Sequence, residues 1–395
     1  MPKEVRTILH ITRGPLWLIA LMVIVYSLTS VWVGMKFGGG TRGGLIVFLT
    51  GLVVFFIAKR VLDSHMASRY ARAIVGAFLV AAVAAFILIY VVYTPRAIAG
   101  GGGSDRDEAI QIAVNRLLAG LYPYGVKTYL GDSITALPGG LLLHVPTQVI
   151  LGSTVYTEPI ILILSLVFIT QISPRAGAAL AVALGGMLVF WQDFVTGGDY
   201  VTSSLLCFAL AAKGVQAAAG KSWKGYFYWV FLGIAVASRP TMLMYTGTAI
   251  ALVAGTVSIA AAMKWAAVTI APSVAVVFPF WVVNPNGFDP LHVTSKGGSL
   301  PLIVIALAIG AAWFAFGLAV AMRRRATSRP EVMLALIVAP LGFVVTLPSS
   351  LAAGSWTQLG FAAMTAFLAP LAIDSSVTTR EDRAPLTVGT PSPST

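Results

Sequence analysis

The sequence predicts an all-α, polytopic membrane protein with about twelve transmembrane helices and further surface helices in its first large outer loop. Hydrophobic residues make up 58% of the 395 residues, charged residues make up only 10%, and the mean hydropathy is +0.88. Apolar runs long enough to cross the roughly 30 Å hydrocarbon core recur along the chain. A transmembrane β-barrel would instead show short segments of alternating hydrophobicity.

Twelve hydrophobic segments are predicted to span the membrane. They are residues 15–35, 43–58, 73–93, 153–173, 176–192, 200–213, 225–238, 240–262, 264–283, 301–322, 331–349 and 353–373. Several are short for a full crossing, which predicts bent or tilted helices. The first segment follows basic residues as a signal peptide would, but it is too long and lacks a convincing cleavage site, so we expect a retained helix.

A further apolar stretch, residues 138–152, is predicted to lie on the membrane surface because it is too short for a normal span. The positive-inside rule favours this placement. If the stretch does not cross, 18 of the 26 Lys and Arg residues face the cytoplasm. If it does cross, the arginine run at 323–325 moves outside. Both termini are therefore predicted to be cytoplasmic.

This topology divides the chain into four regions. Residues 1–93 form a three-span membrane region, 94–152 an outer loop with two surface helices, and 153–373 a nine-span membrane region. Residues 374–395 form a cytoplasmic tail rich in Pro, Ser and Thr, which is typical of a disordered end.

The net charge of +12 has two interpretations, nucleic-acid binding and cytoplasmic anchoring. Anchoring is favoured, since the charges lie between spans, so no nucleic-acid partner is predicted. The single cysteine, Cys207, excludes a disulfide within the chain. The four histidines are too scattered to predict a metal cluster. No cofactor is predicted with certainty, and a divalent cation is left open.

An acidic cluster opens the outer loop. Three of the fourteen acidic residues, Asp105, Asp107 and Glu108, fall within four consecutive positions. An amphipathic helix follows, because apolar residues recur at helical spacing from Ile110 to Leu121. One interpretation is capping, with acids in a first turn that complement the helix dipole. The other is a catalytic or ligand-binding role.

Other polar residues are predicted to face the same side, where eight of the fourteen acids lie and a concave polar chamber is expected. Asp199 would either cap the next helix or take part in a site. Arg239 precedes Pro240 at a span end, where it would contact a phosphate or extend to lipid headgroups. His292 and Lys296 would either contact a phosphate or sugar or be ordinary polar residues of a loop.

Tyr122 and Tyr124 also lie in the outer loop. Their aromatic faces suit stacking against a sugar, but tyrosines are also expected near any bilayer surface.

The stretch from Asp105 to Tyr124, Asp-Arg-Asp-Glu-Ala-Ile-Gln-Ile-Ala-Val-Asn-Arg-Leu-Leu-Ala-Gly-Leu-Tyr-Pro-Tyr, resembles the first outer loop of the glycosyltransferase C superfamily. Those enzymes show an acid, an alanine about eight residues later and a Leu-Leu-x-Gly-x-x-Pro-Tyr-like ending. Three later elements are similar and occur in the family's order across roughly residues 100–245. They are Leu137-Pro138-Gly139, Gly198-Asp199-Tyr200 and Arg239-Pro240-Thr241.

The resemblance implies an integral membrane glycosyltransferase that is active on the extracytoplasmic face. It would move a monosaccharide from a polyprenyl-phosphate donor to a glycan, lipid or protein acceptor, with inversion. By position, Asp105 matches the catalytic acid, which would act as general base. Many members place Glu directly after this acid, whereas here Arg106 follows, so the Asp107–Glu108 pair stays an alternative. Asp199 and Arg239 match later motif elements.

Two other functional classes are compatible with this hydropathy pattern. A multi-span transporter or lipid flippase would also use twelve spans and an outer chamber, although such proteins usually carry charges at the membrane midplane, which most spans here lack. The third class is a non-catalytic membrane scaffold with a capped surface helix.

Overall fold

All regular secondary structure in the described part of the chain is helical. The computed structural model describes residues 16–91, 105–288, 290, 300–323, 329–352 and 361–373. Within these ranges there is no β-strand, and Lys127 and Ser133 form an isolated bridge. The predicted all-α class is therefore confirmed for these residues. The predicted disordered tail, 374–395, lies outside them.

The α-helices are numbered here in chain order. They are α1 (Leu16–Leu28), α2 (Val31–Phe37), α3 (Thr41–Asp63), α4 (His65–Phe86), α5 (Arg106–Leu118), α6 (Pro138–Leu151), α7 (Thr157–Ile172), α8 (Pro174–Gly185), α9 (Leu188–Val195), α10 (Tyr200–Ala219), α11 (Lys224–Val236), α12 (Leu243–Thr256), α13 (Ile259–Val283), α14 (Leu300–Arg323), α15 (Pro330–Ala352) and α16 (Ala363–Ala366). Single turns of 3₁₀ or π helix lie at Ile87–Val91, Thr154–Tyr156, Pro240–Met242, Pro285–Gly287 and Leu371–Ile373.

Six helical segments in the described ranges are long and apolar enough to cross a membrane. They are Leu16–Phe37, Thr41–Asp63, Ala67–Tyr90, Thr154–Ile172, Tyr200–Ala219 and Ile259–Val283. Shorter apolar helices occupy several other predicted spans, such as α11 with 13 residues and α12 with 14. Long apolar helices compatible with a membrane protein are thus present, while the number twelve stays a prediction.

The predicted span at 176–192 is a broken helix pair. α8 ends at Gly185, α9 begins at Leu188, and the two are bent by 81°. Gly186 lies in the break, where a Cβ atom would collide with the Val54 side chain of α3. The bend turns α9 toward the site described below, so that Asp193 faces the start of α10.

α10 is the central helix of the core. It packs against α7, α11 and α12, and 16 of its 20 residues are buried. Small residues permit this close packing. Gly214 lies against the Trp229 indole of α11, where a Cβ atom would be 3.0 Å from the ring. Asp199, which immediately precedes α10, is also fully buried.

α5 and α6 share a second apolar core. The buried side chains of α5 (Ile110, Ala113 and Val114) pack there with loop and α6 residues. The start of α6 is tied to the end of α11, since the Gly139 N–H donates to the Ala237 carbonyl at 2.9 Å. α6 is a 14-residue helix, as expected for 138–152. Its start lies beside Arg239.

Candidate functional site

The candidate site lies where four segments meet: the start of α5, the loop 119–137, the α9–α10 turn and the end of α11. Direct contacts join them. Arg106 of α5 contacts Asp193 of α9, Thr128 of the loop contacts Asp105, and Thr135 contacts Arg239. Residues that the sequence placed in one outer chamber are thus brought together by long-range contacts.

Asp105 occupies the N-cap position of α5. Within the described residues, its side chain makes no capping hydrogen bond. Instead, its Oδ2 accepts a hydrogen bond of 2.5 Å from the Thr128 hydroxyl. The Thr128 Oγ1 in turn accepts from the Asp132 N–H at 3.2 Å. The half-buried carboxylate is therefore oriented by the loop, although its position is that of a cap.

Asp107 is held between Tyr90, in the π-helical turn after α4, and the α9–α10 turn. The Tyr90 hydroxyl donates to its Oδ2 at 2.5 Å, and its buried Oδ1 has no hydrogen-bond partner among the described residues. Burial raises the pKa of this carboxyl above its usual range, even though the Tyr90 hydrogen bond lowers it. Gly197 packs against it with φ +72°, and a Cβ atom there would lie 2.6 Å from the Asp107 Cβ. Glycine is needed at this position for both reasons.

Glu108 contacts the loop. Its Oε2 accepts a hydrogen bond of 3.0 Å from the Tyr129 N–H. Together with Asp105, it ties the loop at 128–129 to the first turn of α5. The three acids that the sequence placed in one cluster therefore have three different surroundings.

Arg106 points to the other side of α5. Its Nη1 is 2.5 Å from Asp193 Oδ1, and the guanidinium lies over the rings of Tyr200 and Phe361 at 5.3 and 5.5 Å. The other oxygen of Asp193 accepts from the Val201 N–H at 3.2 Å. Asp193 belongs to the eight acids predicted to face the outer side, although no role of its own was predicted for it. A signal was present, because an acid near the end of a predicted span is costly unless it is paired.

Asp199 and Arg239 form a buried bidentate ion pair. Arg239 Nη2 lies 2.7 Å from Asp199 Oδ1, and Nε lies 3.2 Å from Oδ2. Nη1 donates to the Thr135 hydroxyl at 3.0 Å, and the guanidinium lies 4.5 Å from the Tyr200 ring centre. Burial raises the pKa of the Asp199 carboxyl, but the Arg239 charge and hydrogen bonds outweigh this and hold it below its usual range.

A second buried pair joins α6 to α7. His144 Nε2 lies 2.9 Å from Glu158 Oε1, and His144 Nδ1 lies 2.7 Å from the Gly140 carbonyl. Nδ1 faces a carbonyl and must carry a hydrogen, so one proton is shared between Nε2 and the carboxylate. The Thr202 hydroxyl donates to the other oxygen of Glu158. This pair was not predicted from the sequence, since 14 positions separate its members and nothing local links them.

The two tyrosines have structural contacts. Tyr124 is only 2% exposed, donates to the Ala136 carbonyl at 3.0 Å and packs edge-on against Phe288. The Tyr122 hydroxyl donates to the Phe280 carbonyl at the end of α13, at 3.1 Å. Their predicted role in sugar stacking stays a prediction, and the ring of Tyr124 is enclosed in the second core. His292 and Lys296 lie outside the described residues.

An apolar groove of about 370 Å³ lies beneath α6. It is bounded by α6, α7, α10 and α11, and its lining is almost wholly hydrocarbon. The lining residues are Leu143, Pro146, Thr147, Ile150, Leu151, Thr157, Ile160, Ile161, Leu164, Phe168, Leu206, Leu210, Phe227 and Phe231. Thr147 also contacts the His144 carbonyl, so the groove passes close to the His144–Glu158 pair.

No group of three or more His, Cys, Asp and Glu side chains is arranged to hold a metal ion in the part of the chain that the structure describes. Comparisons with protein-family models, curated proteins and solved structures find no match for this chain. The residues of the site are therefore the basis for a function.

Proposed function

We propose that the protein is an integral membrane glycosyltransferase that moves a monosaccharide from a polyprenyl-phosphate donor to a glycan, lipid or protein acceptor. The observation that carries the proposal is the half-buried carboxylate of Asp105. The Thr128 hydroxyl orients it, and the loop that holds it also contacts a buried arginine. Such a site combines a base with a cation that can stabilise a leaving phosphate.

Asp105 is the proposed general base. As the acceptor hydroxyl attacks the anomeric carbon, its proton passes to the carboxylate. The bond between that carbon and the phosphate oxygen breaks, and the lipid phosphate leaves with the electron pair. A base must be open to the acceptor, and Asp105 is half-buried. Asp107 suits this role less well, because its Oδ1 is enclosed and its Oδ2 accepts from Tyr90.

Arg239 is the proposed partner of the donor phosphate. It is 6% exposed, and Asp199 holds its guanidinium in one orientation. In the structure, all three guanidinium nitrogens of Arg239 donate hydrogen bonds, two to Asp199 and one to Thr135. To contact a phosphate, Arg239 must therefore give up its hydrogen bond to Thr135. This bond is weaker than the two to Asp199 because its acceptor is neutral.

The groove beneath α6 is the proposed site of the prenyl chain. Its hydrocarbon lining suits a chain without polar groups, and its volume of about 370 Å³ is within the usual range for ligand pockets. α10 lines the groove with Leu206 and Leu210 and begins beside Asp199. One helix thus connects the apolar groove to the polar site.

The proposed reaction takes place on the extracytoplasmic side of a membrane that the chain crosses about twelve times, with both termini in the cytoplasm. Charge distribution supports this arrangement, since 18 of the 26 basic residues then face the cytoplasm.

Asp105→Asn tests the proposal. We expect membranes that contain this variant to lose sugar transfer from polyprenyl-phosphate donors by about 10²–10⁴-fold, the usual contribution of a general base. The amide can still accept from Thr128, so the fold and the melting temperature should be retained. Asp132→Asn is the matched control, since Asp132 is exposed in the same loop. Full transfer by Asp105→Asn would exclude Asp105 as base and direct the same test to Asp107 and Glu108.

The transporter or flippase alternative draws on the His144–Glu158 pair, because ionisable residues inside membrane bundles often mark ion pathways. Reconstituted protein would then move a solute or lipid across the bilayer without forming a glycan product, and Glu158→Gln would stop that movement. Glycan formation without translocation would exclude this alternative.

A further inference from the structure

A cavity separate from the apolar groove opens beside Arg106. It has a volume of about 220 Å³, below the roughly 300–1,000 Å³ of pockets for drug-sized ligands. Its lining is mixed, with three aromatic rings (Trp32, Tyr200 and Phe361) and three polar side chains (Arg106, Gln192 and Asp193). A cavity of this size suits a single small ring.

The charges of the cavity cancel. Arg106 and Asp193 are the charged residues of its lining, and they pair with each other at 2.5 Å. An anionic ligand such as a free phosphate would be repelled by the Asp193 carboxylate and would compete with it for the guanidinium. The electrostatics therefore favour a neutral ligand.

The cavity also holds an acceptor that needs a donor. Gln192 Oε1 is buried and has no hydrogen-bond partner among the described residues. Buried polar atoms are normally hydrogen-bonded, and a water molecule or a ligand hydroxyl at the cavity wall can supply the donor that this acceptor lacks. A sugar hydroxyl is a neutral donor of this kind.

We infer that this cavity binds one neutral monosaccharide ring, with a hydroxyl on Gln192 Oε1 and its C–H face against the aromatic rings. Aromatic faces carry partial negative charge and attract the weakly positive hydrogens of a sugar ring. The inference rests on the proposed glycosyl transfer and assigns the sugar a place in it. Arg106, which lines the cavity, is the chain neighbour of both Asp105 and Asp107.

The sugar could belong to the donor or to the acceptor. The cavity and the apolar groove share α10, with Tyr200 and Val201 at the cavity and Leu206 and Leu210 at the groove. At about 1.5 Å per residue, the two pairs are on the order of 10 Å apart along the helix. Both sources therefore remain within reach, and the test below separates them.

Saturation-transfer NMR on the full-length protein in nanodiscs tests the inference. The probes are methyl glycosides of glucose, mannose, galactose and arabinose. We expect at least one to receive saturation on its ring protons. Gln192→Leu and Trp32→Ala should each weaken its binding by roughly tenfold or more, because one removes the acceptor and the other an aromatic wall.

Matched controls come from exposed residues far from the cavity lining. Trp223→Ala and Gln216→Leu remove the same kinds of side chain from exposed positions and should leave glycoside binding unchanged. A melting curve for each variant separates lost binding from lost folding. If Trp32→Ala does not fold, Gln192→Leu alone carries the test, since it changes a single polar group.

Binding of no glycoside to the unaltered protein overturns the inference, as does binding that neither Trp32→Ala nor Gln192→Leu weakens. Asp105→Asn separates the cavity from the proposed function, because it should keep glycoside binding while it loses transfer. Transfer without glycoside binding would refute the cavity alone. Binding without transfer from any donor would refute the proposed function alone. Competition of the bound glycoside against donor or against acceptor identifies the source of the sugar.

Discussion

Arg239 and Asp199 are joined by two hydrogen bonds, of 2.7 Å from Nη2 and 3.2 Å from Nε, and both side chains are buried. Forty residues separate them in the sequence. The pair fixes the end of α11 to the start of α10, and the Tyr200 ring covers the guanidinium at 4.5 Å. Through Thr135, which accepts from Arg239, the pair also joins the loop 119–137 to these two helices.

Removal of one member of this pair should destabilise the protein strongly. Arg239→Gln leaves the Asp199 carboxylate buried without its counter-charge, which typically costs about 3–5 kcal/mol. The double variant Arg239→Gln with Asp199→Asn should recover much of that loss, because neither charge remains. Thermal melting in detergent across the double-mutant cycle measures the coupling. Arg42→Gln is the control, since Arg42 is exposed. Equal losses of stability in Arg239→Gln and Arg42→Gln would show that the Arg239–Asp199 pair does not stabilise the fold.

Asp107→Asn should stabilise the protein at neutral pH. Burial raises the folded-state pKa of Asp107 above its unfolded value. Below the unfolded pKa, near 4, both states are protonated and the residue costs nothing. As pH rises through the folded pKa, the folded state carries a poorly solvated charge and loses stability. The amide removes that charge and can still accept from Tyr90.

Melting temperatures of Asp107→Asn and the unaltered protein between pH 2.5 and 8 check this sign. Their difference should grow as pH rises. Asp199→Asn should show the opposite slope, because the folded pKa of Asp199 is lowered and its contribution to stability is lost as pH falls through that value. If the difference in melting temperature between Asp107→Asn and the unaltered protein does not change with pH, the Asp107 carboxyl does not have a raised pKa.

Gly139→Ala should destabilise the contact of α6 with α11. A Cβ atom at Gly139 would lie 2.7 Å from the Ala237 Cβ and closer still to the Ile234 carbonyl, so the helices would have to separate. We expect a loss of about 1–3 kcal/mol, as for other overpacked sites. Gly247→Ala in α12 is the matched control, since nothing lies within 4 Å of its Cβ position. The control should be neutral or gain up to about 1 kcal/mol from helix propensity. Equal melting temperatures for the two variants would mean that α6 does not pack closely on α11.

Leu164→Trp should narrow the apolar groove and raise the KM for a long-chain polyprenyl-phosphate donor. Leu164 lines the groove and is 46% exposed, so the larger ring can be accommodated without disruption of the core. A donor with a short lipid should be affected much less, since it does not fill the groove. Initial rates with both donors measure the effect. A uniform fall in kcat with both donors would indicate a general disturbance and not a blocked lipid site.

The positions of helices could largely be predicted from the sequence. Hydropathy is a local property, so runs such as 43–58 and 264–283 locate helices that the structure extends to Thr41–Asp63 and Ile259–Val283. The start of α5 at Arg106 was also predictable, because acids favour a first turn. The short segments predicted bent helices in general, but not the 81° bend between α8 and α9, where Gly186 packs closely on α3.

The sequence by itself determined which residues are chemically capable of a role: the acids of the α5 start, Asp199 and Arg239. Only the tertiary structure decided what each contacts. Thr128 orients Asp105, Tyr90 holds Asp107, and Asp193 pairs with Arg106 although 87 residues separate them. The physical reason is that helix formation depends on neighbours within a few positions, whereas burial and ion pairing depend on distance in space. A buried charge requires a partner, but a single sequence does not identify which one.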